Sequence, residues 1–155
     1  MRDDISAVVM GKKPWPIFLT GEVGSGKTCA VLCMIDIYGG IYRTVQELAE
    51  EIARAKRGEL VERLGNVCSS KVTAETVRGW WTRTRFAVLD ELGLRDKPTD
   101  HEAEVVKNVL DDREGLPLVV VSNLDLGDIM DVYDARIADR INAGTPVVVA
   151  GESRR

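Results

Sequence analysis

One eight-residue segment restricts the possible folds of this chain more than any other feature. It fits the phosphate-loop pattern G-x-x-x-x-G-K-[ST] at every position, and it consists of Gly21, Glu22, Val23, Gly24, Ser25, Gly26, Lys27 and Thr28. The pattern requires a strand before the loop and a helix after it. Residues 16–20 (PIFLT) are a short run typical of a buried strand, and residues 27–38 are predicted to form a helix. The sequence therefore predicts an α/β fold with a phosphate-binding loop.

The residue types of this segment explain what the loop can bind. Glycines let the backbone curl so that successive N–H groups point at a phosphate, and the following helix presents its positive N-terminal end. The Lys27 side chain can reach the β- and γ-phosphates of a nucleotide, and the Thr28 hydroxyl can bind Mg²⁺. A dinucleotide-binding loop is excluded because Cys29 stands where its third glycine should be. We therefore predict that residues 21–29 bind a nucleotide.

The rest of the chain alternates short apolar runs with helical stretches. Thr44 and Glu47 have the spacing of a capping box, which predicts that a helix begins there and runs to about residue 57. This alternation predicts a three-layer fold with a central, mainly parallel five-stranded sheet. The further predicted strands are 41–43, 86–90, 118–122 and 146–150, and the further predicted helices are 73–81, 100–112 and 131–142.

Asp90 and Glu91 end the predicted strand that begins with residues 86–89 (FAVL). An aspartate at the carboxyl end of a buried parallel strand lies beside the phosphate loop, so Asp90 is predicted to hold Mg²⁺. The next carboxylate, Glu91, is then placed to orient and deprotonate a water molecule that attacks the γ-phosphate. The pair therefore indicates hydrolysis rather than phosphoryl transfer to a small acceptor.

Asn123 ends the next predicted buried strand, residues 118–122 (LVVVS). An amide at this position can bridge the attacking water and the γ-phosphate, so Asn123 is a candidate catalytic residue. Asparagine is also common in turns that follow strands for conformational reasons alone. Both interpretations remain open at the level of sequence.

Length and composition are those of one ordinary globular domain of 155 residues, in which residues 1–15 form a short lead-in. No apolar run is long enough to cross a membrane, and the first residues lack the apolar stretch of a signal peptide. Cys29, Cys33 and Cys68 have no metal-ligand spacing and are predicted to be reduced thiols. We therefore expect a cytoplasmic protein in which Cys29 and Cys33 are buried small hydrophobes, on a first helix that is itself buried.

The net charge of −4 hides an uneven distribution. Residues 51–85 carry eight Lys or Arg against four acidic residues, whereas residues 86–131 carry four against twelve. The basic segment, with Arg54, Lys56, Arg57 and Lys71, is either a contact for nucleic acid or a solvated helix face. Trp80 and Trp81 are read in two ways, as a base-stacking platform or, more commonly for such a pair, as packing.

The order of these motifs along the chain resembles that of the AAA+ ATPases. The resemblance rests on residues 21–28, 86–91 and 121–123. Two further segments resemble the branch of helicase loaders and transposition helpers named DnaC/IstB: residues 134–141 (DARIADRI) and residues 147–155, which include the letters GES before the last two arginines. The resemblance covers about residues 16–155 and implies an AAA+ P-loop fold. The chain stops directly after the second of those arginines, so we expect no helical lid domain.

The resemblance also implies roles for arginine residues. An ATPase of this family acts as an oligomer, and an arginine of one subunit completes the active site of its neighbour. The matching position here is Arg140, with Arg136 as the first arginine of the same motif, and Arg155 matches an arginine that senses the nucleotide. The alternative is an exposed helix face on which these arginines pair with Asp134 and Asp139.

The function implied is that of a Mg²⁺-dependent ATPase that acts in DNA replication as a helicase loader and forms homo-oligomers. Its expected ligands are ATP and Mg²⁺, and its possible partners are single-stranded DNA and a replicative helicase or a transposase, with no membrane. One alternative is a transposition-helper ATPase of an insertion sequence. A small-molecule P-loop kinase is less favoured because the charged residues of segment 92–112 are mostly acidic, although it carries Arg95 and Lys97. A nucleotide-dependent assembly switch with slow hydrolysis is a further alternative.

Overall fold

The chain alternates helices and strands in the order that the sequence predicts, with additional elements. The computed structural model describes residues 2–59, 61–64, 68–95 and 97–149. In this part of the chain no helix has the length and apolar character needed to cross a membrane. The helices are α1 (Arg2–Val9), α2 (Lys27–Tyr38), α3 (Val45–Lys56), α4 (Ala74–Arg83), α5 (Asp100–Asp112), α6 (Leu126–Val132) and α7 (Ala135–Asn142). The strands are β1 (Ile17–Thr20), β2 (Ile41–Thr44), β3 (Val61–Leu64), β4 (Cys68–Lys71), β5 (Ala87–Leu92), β6 (Leu118–Ser122) and β7 (Thr145–Val148).

Five strands form the central sheet, in the order β2-β5-β6-β1-β7. Every neighbouring pair of strands is parallel. This confirms the predicted five-stranded sheet, which is entirely parallel rather than mainly parallel. The carboxyl ends of all five strands therefore lie at one edge, where a site can collect side chains from several loops. Strands β3 and β4 form a separate antiparallel hairpin between α3 and α4.

The two faces of the sheet are covered unequally. Helices α1 and α2 pack on one face through Val8, Val31 and Met34, against a core cluster that includes Val88 and Val119 of the strands. Helices α3 to α7 pack on the other face. They contribute one or more buried apolar residues each to a second cluster: Leu48, Val77, Val105, Val106, Ile129, Ile137 and Ile141. The sequence prediction of a three-layer architecture is thus confirmed, and no lid domain is evident among the described residues.

Two predictions about α2 are wrong: the helix is not buried as a whole, and its two cysteines are not buried either. Only Lys27, Val31 and Met34 are buried on this helix, whereas Cys29 and Cys33 are exposed. Two larger apolar side chains are also exposed, Leu32 at 46% and Ile37 at 72%. The helix is apolar on nearly every side, but the sheet can cover only one side of it, and no described element packs on the other.

The predicted helix over residues 131–142 is in fact the end of α6 and the whole of α7. Tyr133 has a non-helical backbone (φ −105°, ψ −95°), which ends α6. The side chain of Asp134 then accepts a hydrogen bond from the Ile137 backbone and caps α7. The start of α6 is fixed by a capping box between Asp125 and Asp128. Helix α1 and the β3–β4 hairpin have no counterpart in the sequence prediction.

Other predictions are confirmed in detail. Helices α2 and α5 and strand β6 have the predicted bounds. The capping box at Thr44 and Glu47 is formed in both directions. Trp81 is 2% exposed in the core and Trp80 packs against it, so the pair serves packing rather than base stacking. His101 hydrogen bonds to the Ala49 carbonyl of α3.

The connection from α2 to β2 brings two backbones into close approach. Gly39 (φ 68°) and Gly40 (φ 139°) both have positive φ. A Cβ on Gly40 would lie 2.2 Å from the Phe86 carbonyl oxygen, which accepts the hydrogen bond of the Ile41 backbone, whereas a Cβ on Gly39 would meet nothing within 4 Å. The alignment of β2 beside β5 therefore depends on Gly40 lacking a side chain.

We predict that Gly40→Ala lowers the free energy of unfolding by about 3 kcal/mol, because it adds a backbone clash to an unfavourable φ. Gly39→Ala is the matched control and should cost about 2 kcal/mol, since its backbone (φ 68°, ψ 172°) is unfavourable for a residue with a Cβ but no clash is added. Urea denaturation of the two variants checks the difference. Equal losses would contradict the role given to the Gly40–Phe86 approach.

Candidate nucleotide-binding site

The phosphate loop connects β1 to α2 at the carboxyl edge of the sheet. Gly24 (φ 82°) and Gly26 (φ 92°) adopt left-handed backbone conformations that other residues rarely take. The Lys27 ammonium curls back into the loop and donates to the carbonyls of Gly21 (2.6 Å) and Glu22 (2.8 Å). The Ser25 backbone also donates to the Glu22 carbonyl, at 3.2 Å. The loop is therefore closed around the lysine.

Two groups in this loop fit an anion. Lys27 is 7% exposed, and its hydrogen bonds in the structure go to neutral carbonyls. Burial lowers the pKa of Lys27, and the nearby Asp90 charge opposes that change. The Ser25 hydroxyl is buried and has no hydrogen-bond partner among the described residues. A buried cation and an unpaired buried hydroxyl are stabilised by a phosphate, which accepts hydrogen bonds from both.

Asp90 is the buried acidic group of the site. It is 2% exposed near the carboxyl end of β5, and its Oδ2 accepts hydrogen bonds from the Thr28 hydroxyl (3.0 Å) and the Tyr42 hydroxyl (2.9 Å). Its Oδ1 accepts the Glu91 backbone N–H at 2.7 Å. The structure thus brings together the two predicted magnesium ligands, Thr28 and Asp90, from positions 62 residues apart.

This donor set fits Mg²⁺ better than a metal that needs a protein cage. Among the described residues there is no group of three or more His, Cys, Asp or Glu side chains able to hold an ion. Magnesium commonly binds through one or two protein oxygens together with substrate phosphates and waters. One carboxylate and one hydroxyl beside a phosphate loop are consistent with that mode of binding.

Glu91 is turned away from the sheet by a local irregularity in β5. Leu89 pairs with Val120 and Leu92 with Ser122, so two residues of β5 oppose a single residue of β6. Glu91 lies in this bulge with a positive φ of 61°, which is strained for a non-glycine residue. The bulge leaves Asp90 buried and Glu91 exposed. Adjacent carboxylates therefore have different environments, as a metal ligand and a base require.

The electrostatics of Glu91 also suit a base. Partial burial of its carboxyl raises the pKa of Glu91, and the negative charges of Asp90 and Glu47 raise it further. A carboxylate with a raised pKa accepts a proton from water more readily than an ordinary one. Burial and the hydrogen bond to Asp90 likewise raise the pKa of the Tyr42 hydroxyl.

Asn123 follows β6, the strand that lies between β1 and β5 in the sheet. The residue is exposed at the same edge as the phosphate loop and Asp90. Ser122, which is 1% exposed, fixes this turn by donating to the Leu92 carbonyl (2.7 Å) and accepting from the Leu124 backbone (2.9 Å). The structure therefore places Asn123 between the loop and the acidic strand.

The other predicted site residues are distributed differently. Glu22, Val23 and Cys29 are exposed around the loop. Arg140 lies on α7, where its guanidinium forms ion pairs with Asp111 (2.9 Å) and Glu114 (2.7 Å) rather than with the acidic residues of its own helix. Arg155 lies outside the described residues.

Sequence reasoning missed Tyr42 and Ser122 in this site. In the sequence, Tyr42 is one residue of a short predicted strand, and nothing marks it as functional. Its role becomes visible only when β2 is aligned beside β5, because that register brings its hydroxyl to Asp90. Ser122 lies one residue before Asn123, which the sequence does predict. No sequence pattern marks a serine at the end of a buried strand as part of a site.

No protein-family model matches the chain, and no curated protein matches it. Solved structures do match over most of its length. DnaI is 22% identical (TM-score 0.65), with 99% of this chain and 81% of DnaI covered. The DnaC helicase loader is 15% identical (TM-score 0.68), with 86% and 77% covered.

A structure of the replication initiator DnaA bound to AMPPCP and single-stranded DNA is 17% identical (TM-score 0.72). The alignment covers 97% of this chain but only 45% of the DnaA chain, so this chain spans less than half of the length of DnaA in that structure. These similarities confirm the resemblance that the motifs indicate at the level of fold. The chain therefore shares the fold of these structures, with helices on both faces of a parallel sheet and a phosphate loop, which is the fold that the resemblance to AAA+ ATPases implies.

Proposed function

We propose that the protein is a Mg²⁺-dependent ATPase that acts in DNA replication as a helicase loader does. The observation that carries this proposal is the 3.0 Å hydrogen bond between the Thr28 hydroxyl and the Asp90 carboxylate. It joins the first helix turn after the phosphate loop to the acidic end of β5 at the only edge where all five strands of the described sheet end. That arrangement supports nucleotide binding with a metal rather than phosphate binding alone.

The residues of this site divide the work of hydrolysis. The backbone N–H groups of the loop and the Lys27 ammonium would hold the phosphates, while Thr28 and Asp90 would hold Mg²⁺. When bound, the metal neutralises charge on the phosphate oxygens. Glu91 would take a proton from the attacking water, and the Asn123 amide would orient that water. A kinase is less favoured because the charges that act on Glu91 in the described part of the chain are those of Asp90 and Glu47, and Arg95 is the one basic residue that lines the small cavity beside it.

Arg140 is proposed to act on the nucleotide of a neighbouring subunit. Its side chain is 41% exposed, and its partners are also exposed in part, Asp111 on the last turn of α5 and Glu114 in the turn that follows this helix. Exposed ion pairs contribute little to stability because water screens them, so the guanidinium can exchange these partners for a phosphate. An arginine supplied in this way stabilises the charge that develops during phosphoryl transfer.

The replication context is supported by the names of the similar structures, DnaI, the DnaC helicase loader and DnaA. These names favour replication over the transposition-helper alternative. A contact with single-stranded DNA is proposed at the basic segment, where Arg54, Lys56, Arg57 and Lys71 are all exposed. Arg57 pairs with Glu59, so the other three cations are the stronger candidates.

Hydrolysis is tested with two variants of the site. Glu91→Gln should bind ATP with an affinity within about threefold of the wild type and lose at least about 100-fold in turnover, because only the proton acceptor is removed. Lys27→Ala should lose nucleotide binding itself. Glu75→Gln, an exposed glutamate in the first turn of α4, is the matched control. Fluorescent-nucleotide titration and phosphate release measure the two properties, and normal turnover of Glu91→Gln would exclude Glu91 as the base.

The shared active site is tested by mixing inactive variants. Arg140→Ala should lose about 10³-fold in ATPase rate at a protein concentration where the wild type assembles. Mixing it with Glu91→Gln should restore activity, since one subunit supplies the intact arginine and the other the intact base.

Two controls separate this role from the ion pairs with Asp111 and Glu114. Arg136→Ala leaves Arg140 in place, and Asp111→Asn with Glu114→Gln removes the ion pairs but keeps the arginine. Both should retain the wild-type rise of specific activity with protein concentration. Arg140→Ala showing the same rise would contradict an arginine supplied by a neighbour.

The DNA contact is tested by its salt dependence. Binding of a cation to a DNA phosphate releases counterions, so the affinity constant K falls as salt rises. The slope of log K against log[salt] should become shallower by about 0.7 for each contacting cation that is removed. We predict that Lys56→Gln with Lys71→Gln reduces the slope by about 1.4 in fluorescence anisotropy with labelled oligothymidine. Lys12→Gln with Lys107→Gln removes the same charge elsewhere and should leave the slope unchanged. An unaltered slope in the first variant would exclude this segment as the DNA contact.

A further inference from the structure

Tyr42 connects the edge strand β2 to the buried carboxylate of the site. We propose that Tyr42 is a positioning residue that fixes the orientation of Asp90 for magnesium binding. The proposal rests on the proposed function, because it adds a supporting residue to the metal site that Thr28 and Asp90 would form in that ATPase. Its direct support is the 2.9 Å hydrogen bond from the Tyr42 hydroxyl to Oδ2 of Asp90.

The register of the sheet explains how a residue 48 positions away reaches Asp90. Tyr42 pairs with Val88, and Thr44 pairs with Asp90. Side chains two residues apart on a strand lie on the same face, so Val88 and Asp90 share a face and Tyr42 lies diagonally from Asp90. That face is covered by α2, whose first turn carries Thr28. The tyrosine and the threonine thus approach one carboxylate oxygen from different elements.

The hydrogen bonds leave Asp90 little freedom to rotate. Oδ2 accepts two hydroxyl groups and Oδ1 accepts the Glu91 backbone N–H. The threonine hydroxyl is itself a predicted metal ligand, and the Glu91 backbone lies in the bulge. Tyr42 is therefore the one side-chain donor to Asp90 in these contacts that has no other predicted role at the site. Hydrogen bonds to a ligating carboxylate commonly change metal affinity by about 10–100-fold when they are removed.

The rest of the tyrosine is anchored independently of its hydroxyl. Its ring packs against the core cluster under α2. The Tyr42 carbonyl accepts a hydrogen bond from Arg43 at 2.7 Å, and Arg43 is held by an ion pair with Glu51 on α3. Tyr42→Phe therefore removes one hydrogen bond from Asp90 while the ring and the strand keep their contacts.

The test measures magnesium-dependent binding rather than turnover. A fluorescent ATP analogue is titrated against the wild type and Tyr42→Phe in EDTA, and then at increasing Mg²⁺ at fixed nucleotide. We expect the affinity in EDTA to stay within about twofold, and the Mg²⁺ midpoint to rise about tenfold. Tyr38→Phe is the control. Tyr38 is 44% exposed and its ring lies against Phe86, so both curves should match the wild type.

A double-mutant cycle excludes a purely structural effect. In an Asp90→Asn background, Tyr42→Phe should produce no further shift of the Mg²⁺ midpoint, because its hydroxyl acts through that carboxylate. An unchanged midpoint in the single variant would overturn the proposal, and so would equal shifts with and without the aspartate. A lower thermal midpoint and weaker binding in EDTA without a magnesium effect would equally overturn it. Failure of the proposed function is distinct, because the wild type itself would then bind no nucleotide.

Discussion

A buried carboxylate is the constraint on which the site depends. Asp90 is almost fully removed from water, and an ionised carboxylate in such a place is unstable unless hydrogen bonds satisfy it. The required donors come from three elements, namely the first turn of α2, the edge strand β2 and the backbone of the bulge in β5. Satisfying this one charge therefore fixes the loop, the sheet edge and the acidic strand relative to one another.

The same arrangement explains the unequal behaviour of neighbouring groups. Opposite Asp90, the phosphate loop holds a buried ammonium whose present partners are carbonyls, so the site contains a positive group prepared for an anion. Beside Asp90, the bulge turns Glu91 outward with a strained backbone, and strain of this kind persists where the surrounding structure holds it in place. Backbone geometry thus separates the charges of the site into the buried Lys27 ammonium of the loop, the buried Asp90 carboxylate and the outward-facing Glu91 carboxylate.

Much of this could be predicted from local sequence. Lys27 and Thr28 follow from the loop pattern, Asp90 follows from its place after an apolar strand, and the capping box at Thr44 follows from spacing. What local sequence could not predict depends on partners that are distant along the chain. The role of Tyr42 requires the register of β2 against β5, and the orientation of Glu91 requires a bulge that no residue type announces.

The errors have physical reasons as well. The apolar character of α2 predicts complete burial, but only one side of the helix faces the sheet, and Leu32 and Ile37 remain exposed. The break between α6 and α7 was missed because Asp134 also fits the interior of a continuous polar helix face. Its role as a cap is visible only from the hydrogen bond to Ile137. Whether the outer side of α2 is exposed depends on which elements pack against it, and a local sequence pattern does not contain that information.

The central claim is that the loop and the acidic strand form one metal–nucleotide site. Crystals grown with AMPPCP and Mn²⁺ test it most directly, because the anomalous signal of manganese locates the ion without reference to activity. The account predicts phosphate density in the loop within reach of the Lys27 ammonium and a manganese peak beside the Thr28 hydroxyl on the Asp90 side. Nucleotide density with the manganese peak elsewhere, or a loop without phosphate, would contradict it.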